Sequence, residues 1–80
     1  MIPLYGFLQG DTIGLVVLAR AEDTVAELAE KLRSAARVRV RRPGEVRVLF
    51  RHEVLDSRAL VGQLGMQPLD RFDVQFREQG

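Results

Sequence analysis

The chain has 80 residues, a length that fits one small domain with a single core layer and little room for an internal pocket. Hydrophobic residues make up 46% of it, charged residues 29%, and the formal net charge is only +1, values that are ordinary for a globular domain. There is no cysteine, which excludes disulfides and thiolate metal sites, and no apolar run reaches the roughly 20 residues that span a bilayer or forms a signal peptide, so we expect a cytoplasmic protein.

The first predicted element is a hairpin. Its strands are predicted at 2–8 and 12–19, and the turn lies at Gln9-Gly10-Asp11, because glycine adopts a positive φ without steric cost. Alternation in the second strand is apolar on both sides, which leaves open which face meets the core and suggests that both are covered. The two alternating sets are Leu15, Val17 and Ala19 on one face and Val16 and Leu18 on the other.

One amphipathic helix is predicted over Val25–Ala36. Thr24 and Glu27 have the spacing of a capping box, in which each side chain accepts a hydrogen bond from the other residue's backbone N–H. Glu27 and Lys31 stand four residues apart on the outer side, where we expect a weak pair. The apolar stripe consists of residues three or four positions apart: Val25, Leu28, Ala29, Leu32 and Ala36.

The second half of the chain contains short strands and turns. Valine alternates with arginine at 37–42, but Pro43-Gly44 favours an extended loop there. Asp56-Ser57 is an N-cap signal for a short helical or 3-10 turn at 58–64, and residues 78–80 are expected to fray. Three further strands are predicted: 46–51, 54–55 and 72–77.

Residues that could perform chemistry are few and scattered. His52 is the only histidine and is expected at an exposed hairpin position. The nearest carboxylate pairs, Asp70 with Asp73 and Glu22 with Asp23, are expected to be loop and surface groups. No glycines form a phosphate-binding loop. The sequence therefore predicts no catalytic residue, no metal ligand and no cofactor site.

Arginine supplies eleven of the twelve basic residues. Five arginines fall between Arg33 and Arg42, which fits either a nucleic-acid footprint or a solvated helix end with cations near the negative end of the helix dipole. The aromatic residues on which RNA bases would stack are not interleaved with these arginines. RNA binding is therefore the least favoured of the functional hypotheses. The candidate basic patch is Arg37, Arg39, Arg41 and Arg42.

A candidate protein interface follows from the apolar strand. Whichever face of 12–19 is buried, two or three aliphatic side chains stay outward, and an exposed apolar patch with arginines at its rim has the composition of an interface. The alternative is that the chain's own loops cover these side chains. The candidate interface residues are Val16, Leu18, Arg47, Leu49 and Arg51.

The order of elements is carried by the hairpin GFLQGDTIGLVV, the helix EDTVAELAEKL, the strand RVLF and the closing EVLDSRALVGQLGMQPLDRFDVQF. It resembles the ubiquitin-like β-grasp over nearly the whole chain. The resemblance implies one ubiquitin-like domain over 1–80, an α+β fold with a mixed sheet of 4–5 strands packed on one α-helix, its first and last strands parallel at the centre. Without a Gly-Gly tail and with one lysine, no covalent tagging is expected. The ubiquitin patch positions correspond to Leu8, Leu49 and Gln75.

Four segments fit a narrower pattern in order: IPL at 2–4 followed by Asp11, LVVLARAEDTVAELAEK, RRPGEVRV at 41–48, and LGMQPLDRFDVQF. This pattern resembles the small B component, or gamma subunit, of the toluene monooxygenase hydroxylases. The resemblance implies a non-catalytic accessory subunit of a bacterial multicomponent di-iron monooxygenase acting on aromatic compounds. The partner that the resemblance implies is the larger hydroxylase subunit, which holds the di-iron site in that family.

Two other functions stay open from the sequence. One is a ubiquitin-like component of a type VII secretion system, a class with the same fold and no tagging tail. The other is an RNA-binding β-grasp module that uses the arginines at 33–42.

Overall fold

The computed structural model describes residues 1–77, so the expected fraying of 78–80 lies outside the described residues. The described residues form five strands, one α-helix and one 3-10 turn. In chain order these are β1 (Ile2–Leu8), β2 (Leu15–Ala19), α1 (Val25–Ala36), β3 (Val46–Phe50), β4 (Glu53–Val54), the 3-10 turn (Val61–Gln63) and β5 (Arg71–Phe76).

The strands form one mixed sheet in the order β2-β1-β5-β3-β4. β1 runs parallel to β5, whereas the pairs β1–β2, β5–β3 and β3–β4 are antiparallel. Tyr5 N–H donates to Asp70 O at 2.9 Å and starts the parallel pairing. The expected α+β class is confirmed, with a mixed sheet on one helix, a short 3-10 turn and parallel first and last strands.

The core is a single layer between the sheet and α1. The apolar stripe of the helix is buried as the sequence predicts, and Leu28, Leu32 and Ala36 have no exposed surface. The sheet contributes Leu4 and Phe72, which are also fully buried. Each of these buried leucine and phenylalanine side chains stabilises the fold by about 1.5–3 kcal/mol relative to leaving it in water.

The start of the helix is capped as predicted. Glu27 N–H donates to Thr24 Oγ1 at 3.1 Å, and Thr24 N–H donates to Glu27 Oε1 at 3.0 Å. Both halves of the capping box are therefore present. The helix bounds Val25–Ala36 are also those expected from the sequence.

The predicted pair between Glu27 and Lys31 is wrong. The Glu27 carboxylate is used by the cap, and Lys31 Nζ instead lies 2.6 Å from Asp23 Oδ2 and donates to Leu18 O at 2.8 Å. Asp23 is correspondingly not the surface group that the sequence suggested, since only 8% of it is exposed. Hydrogen bonds from Lys31 and from Arg20 N–H lower the pKa of the Asp23 carboxyl.

Several strand boundaries differ from expectation for identifiable reasons. β2 begins at Leu15 rather than at residue 12, because residues 12–14 do not pair with β1. β3 ends at Phe50 because Arg51 and His52 adopt positive φ values of 53° and 68° and form the turn into β4. β4 and β5 each begin and end one residue earlier than the sequence suggested.

The predicted turn at 58–64 is shorter than expected and is not capped by Asp56. Its 3-10 part is confined to Val61–Gln63, and the residue at the cap position, Leu60, offers no side-chain hydrogen bond. Asp56 Oδ1 instead accepts from Arg58 N–H at 2.9 Å, a local turn that comes before the 3-10 segment.

Gly6 is a point of close packing between β1, β5 and the helix. A Cβ atom there would lie 2.6 Å from Phe72 Cζ and 3.0 Å from both methyl groups of Leu32. We expect Gly6→Ala to lower the free energy of unfolding by about 1–3 kcal/mol through overpacking. In a Phe72→Leu background, which opens space at this point, the same change should cost at least about 1 kcal/mol less. Urea unfolding of the four proteins measures this, and equal costs in both backgrounds would contradict the packing explanation.

The Asp23–Lys31 contact makes stability depend on pH in the acid range. The folded state lowers the Asp23 pKa, so its contribution to stability is complete above the ordinary carboxyl pKa of about 3.9 and is lost as pH falls through that value toward the lowered one. We expect Asp23→Asn to reduce the melting temperature near neutral pH and to flatten its decline below about pH 4. Thermal melts across this range test the prediction. Glu53→Gln, at the exposed start of β4, is the control and should leave the profile unchanged.

Candidate protein-binding surface

The side of the sheet opposite α1 forms a surface that we call the outer face. Strand alternation and the pairing registers determine which side chains share it. In strand order β2, β1, β5, β3 and β4, its members are Val16, Leu18, Pro3, Tyr5, Phe7, Arg71, Asp73, Gln75, Arg47, Leu49 and Val54.

The structure resolves which side of β2 is buried. Val17 is 6% exposed and Ala19 is fully buried, so their set meets the core. Val16 and Leu18 point outward with 56% and 53% of their surface exposed. Within residues 1–77, these two aliphatic side chains are therefore not covered by the chain's own loops.

Four of the five predicted interface residues lie on the outer face, in two separate places. Val16 and Leu18 are on β2 and Arg47 and Leu49 are on β3, three strand spacings or about 14 Å apart. Arg51 lies beyond the end of β3, where its guanidinium covers the Phe50 ring at 4.7 Å. The structure thus brings these residues to one side of the molecule without making them neighbours.

Between the β2 pair and the β3 pair lie side chains of β1 and β5 that the sequence did not indicate as interface residues. The rings of Tyr5 and Phe7 lie 4.9 Å apart, and the Arg71 guanidinium lies 4.0 Å from the centre of the Phe7 ring. Arg71 also holds Asp73 with two hydrogen bonds of 2.9 and 3.1 Å, which raise the pKa of Arg71. Strand alternation could have identified these two aromatic residues. Because Leu4 and every second residue after it on β1 are buried, both rings face outward.

Residues 12–14 lie against this aromatic pair. A Cβ atom on Gly14 would come within 2.6 Å of Phe7 Cζ and 2.7 Å of Tyr5 Cε1, so the backbone can pass over the rings only because the residue is glycine. Asp11 anchors the segment by accepting Thr12 N–H at 2.8 Å. The outer face is therefore partly covered at its centre and open along β2.

The candidate basic patch does not form one free surface. Arg39 makes two hydrogen bonds of 2.9 and 3.1 Å to Asp11, which lower the pKa of the Asp11 carboxyl and raise that of Arg39. Arg41 Nε donates to Arg37 O at 3.0 Å. The Arg42 guanidinium lies 4.8 Å from the centre of the Phe76 ring. Three of the four arginines thus make contacts within the fold, and their use as a nucleic-acid footprint stays a prediction.

The ubiquitin patch positions also differ from the alignment. Leu8 is only 3% exposed and belongs to the core, because it lies on the same side of β1 as Leu4. Leu49 and Gln75 do lie on the outer face. The three positions therefore do not form a common patch in this chain.

Side chains that could catalyse a reaction or bind a metal are few among the described residues. His52 is exposed on the β3–β4 turn. Within residues 1–77, no three histidine, aspartate or glutamate side chains come together as metal ligands would. No helix in the same part of the chain has the length and apolar composition needed to cross a membrane.

Comparison with known families decides the relationship. The family model for toluene-4-monooxygenase system protein B (TmoB) matches residues 1–76 of the chain. The chain belongs to this family. A search of curated protein sequences gives no match.

Solved structures show the same fold. A chain of a toluene 4-monooxygenase HD complex with the inhibitor 4-bromobenzoate superposes with a TM-score of 0.79 at 23% identity, covering 95% of this chain and 98% of that one. Ubiquitin of Caldiarchaeum subterraneum superposes with a TM-score of 0.75 at 16% identity, covering 99% and 96%. A computationally designed protein based on human erythrocytic ubiquitin gives 0.73 at 21% identity, covering 100% and 96%. The ubiquitin-like β-grasp expected from the sequence is therefore confirmed.

The contact between Gly14 and the aromatic pair can be tested with intrinsic fluorescence. Tyr5 is the only tyrosine and the chain has no tryptophan, so its emission reports on the outer face alone. We expect Gly14→Ala to displace the rings and to increase quenching of Tyr5 by acrylamide. The loss of stability should be only about 0.5–1.5 kcal/mol, because the tips of the two rings can shift to make room. Ile13→Ala, one residue away and 47% exposed in the wild type, is the control. Unchanged quenching in Gly14→Ala would show that the segment does not rest on the rings.

Proposed function

We propose that this chain is the non-catalytic gamma-type subunit of a bacterial multicomponent di-iron monooxygenase of the toluene type, and that it acts by docking on the large hydroxylase subunit. The observation that carries the proposal is membership of the toluene-4-monooxygenase system protein B family over residues 1–76. The fold shared with a chain of a toluene 4-monooxygenase complex supports it. A cytoplasmic location is part of the same proposal.

The outer face is the docking surface in this proposal. Helix α1 covers the other side of the sheet, while Val16, Leu18 and Val54 each leave more than half of their surface exposed on this side. Tyr5 is 40% exposed at the centre, and tyrosine and arginine are the residue types that interfaces favour. These features support an apolar contact that is widest along β2.

The Arg71–Asp73 pair has a separate role in this contact. It lies in the middle of the outer face, where docking would remove both charges from water. Because each charge already has its partner, the pair can be buried without leaving an unpaired charge. Because the pair presents one positive and one negative charge, it also favours a partner with a complementary polar pair. Such a contact fixes the orientation of the partner more than it raises the affinity.

The di-iron centre is assigned to the large subunit in this proposal. The family resemblance implies this, and His52 stands on an exposed turn without a second histidine in the sequence. No chemical step is assigned to this chain. Its contribution is the surface that it buries on its partner.

Charge placed on β2 tests the docking proposal. We expect the double variant Val16→Asp/Leu18→Asp to weaken binding to the large hydroxylase subunit by about 2 kcal/mol or more, about 30-fold, because two exposed apolar anchors become charged. Co-purification and titration calorimetry measure the loss. The fold should be retained, since both side chains already face solvent.

The control is Val38→Asp, which replaces one aliphatic side chain by aspartate at a 74% exposed residue outside the sheet. Binding of this variant should match wild type. Elution of the wild-type chain separately from the large subunit on a sizing column would contradict the proposed function. Equal losses in both variants would leave the subunit assignment standing and remove the outer face from it.

A further inference from the structure

We propose that a cleft at one end of the sheet binds a carboxylate-rich segment of the partner protein, an inference that rests on the proposed function and extends it to a second contact. The cleft has a volume of about 420 Å³ and lies where β1 and β5 end and β3 begins. We call it the arginine cleft. Its lining residues are Gln9, Arg42, Arg47, Gln75, Phe76 and Arg77.

The cleft concentrates positive charge that the described chain does not neutralise. Within residues 1–77, Arg42 and Arg47 make no ion pair. Arg77 makes one exposed contact of 3.4 Å with Glu45. Since exposed pairs of this kind are weak, three guanidinium groups remain available to an anionic ligand.

The amide side chains in the cleft are oriented to donate as well. Gln9 Oε1 accepts Phe76 N–H at 2.8 Å, and Gln75 Oε1 accepts from Arg47 Nε at 3.2 Å. With both carbonyl oxygens occupied, the amide NH₂ groups are the polar ends left for a ligand. The polar groups that the lining leaves for a ligand are thus hydrogen-bond donors, which carboxylate oxygens match.

The cleft is held open by contacts around Phe76. Arg33 donates to Arg42 O and to Gly44 O, each at 3.0 Å, and so fixes the loop at the cleft's rim. The Arg42 guanidinium then lies over the Phe76 ring at 4.8 Å. Because this arrangement is already made in the free chain, a ligand does not have to order it.

Two features favour an acidic protein segment over a nucleic acid. Phe76 is only 5% exposed and lies beneath the Arg33 and Arg42 guanidinium groups, so the cleft offers no aromatic surface on which a base could stack. The cleft is also continuous with the outer face, because Arg47 and Gln75 belong to both. A partner seated on the outer face would therefore reach the cleft with one of its own segments.

The test measures binding of the large hydroxylase subunit at two salt concentrations. We expect Arg42→Gln/Arg47→Gln to bind about tenfold more weakly at low salt and to lose part of the salt dependence, since guanidinium–carboxylate contacts are removed. Arg37→Gln/Arg41→Gln removes the same charge from the adjoining loop and should change affinity less than about threefold. Arg47→Gln alone, which leaves the contact between Arg42 and Phe76 intact, guards against a folding effect and should show an intermediate loss.

The outcomes separate this inference from the proposed function. If the wild-type chain does not bind the large subunit at all, the proposed function fails and this inference with it. If the wild type binds and the cleft variant binds equally well, only the inference fails. Equal losses in the two double variants would reduce it to a general charge effect. Salt-dependent binding of a single-stranded RNA oligonucleotide that the cleft variant abolishes, without any effect on subunit binding, would assign the cleft to nucleic acid and overturn it.

Discussion

One helix can cover only one side of a sheet, and the rest of this structure depends on that limit. α1 has twelve residues and is about 18 Å long, enough to close the core over Leu4, Phe72 and their neighbours but not to reach the opposite side. The approach is so close that Gly6 leaves no room for a methyl group. The outer face therefore has to be stabilised by other means, and the chain uses aromatic rings, guanidinium groups and the backbone of residues 12–14.

Arginine is used on this protein as a planar covering group as much as a charge. In the part of the chain that the structure describes, four guanidinium groups lie over phenylalanine rings within 5.5 Å: Arg33 and Arg42 over Phe76, Arg51 over Phe50, and Arg71 over Phe7. Lysine would cover the rings less well, because its compact and strongly hydrated ammonium lacks the planar surface of a guanidinium group. In so small a domain the core is one layer thick, and these contacts extend its protection to the ring faces at the sheet's margins. The strong bias toward arginine thus has a structural use.

The sequence predicted best those features whose causes are local. The bounds of α1 and its cap follow from Thr24, Glu27 and the spacing of the apolar stripe, all within a few residues of one another. The late start of β2, in contrast, accompanies the close approach of Gly14 to the Tyr5 and Phe7 rings of another strand. Such a contact has no signature in a periodic pattern.

The same distinction explains the candidate surfaces. Arg39 is removed from the basic patch by Asp11, a residue 28 positions earlier in the chain, which cannot be read from the run of arginines itself. Val16 and Leu18 were found because both faces of one strand are apolar, a local property. The arginine cleft joins Gln9 to Arg47 and Arg77 across three strands, and only the sheet order reveals it.

The edge of β2 has one further property. Pro3, opposite Leu18, has no N–H, and its oxygen accepts Leu69 N–H, so the polar backbone groups of Leu18 face away from β1. Lys31 Nζ donates to Leu18 O, and a lysine placed in this way is one means by which proteins protect a free sheet edge from pairing. Lys31 is also the only lysine in the sequence, so it supplies the only side-chain primary amine there. Acylation by an amine-directed reagent, located by mass spectrometry, therefore reports at Lys31 how often this edge becomes accessible, with the α-amino group as the internal standard.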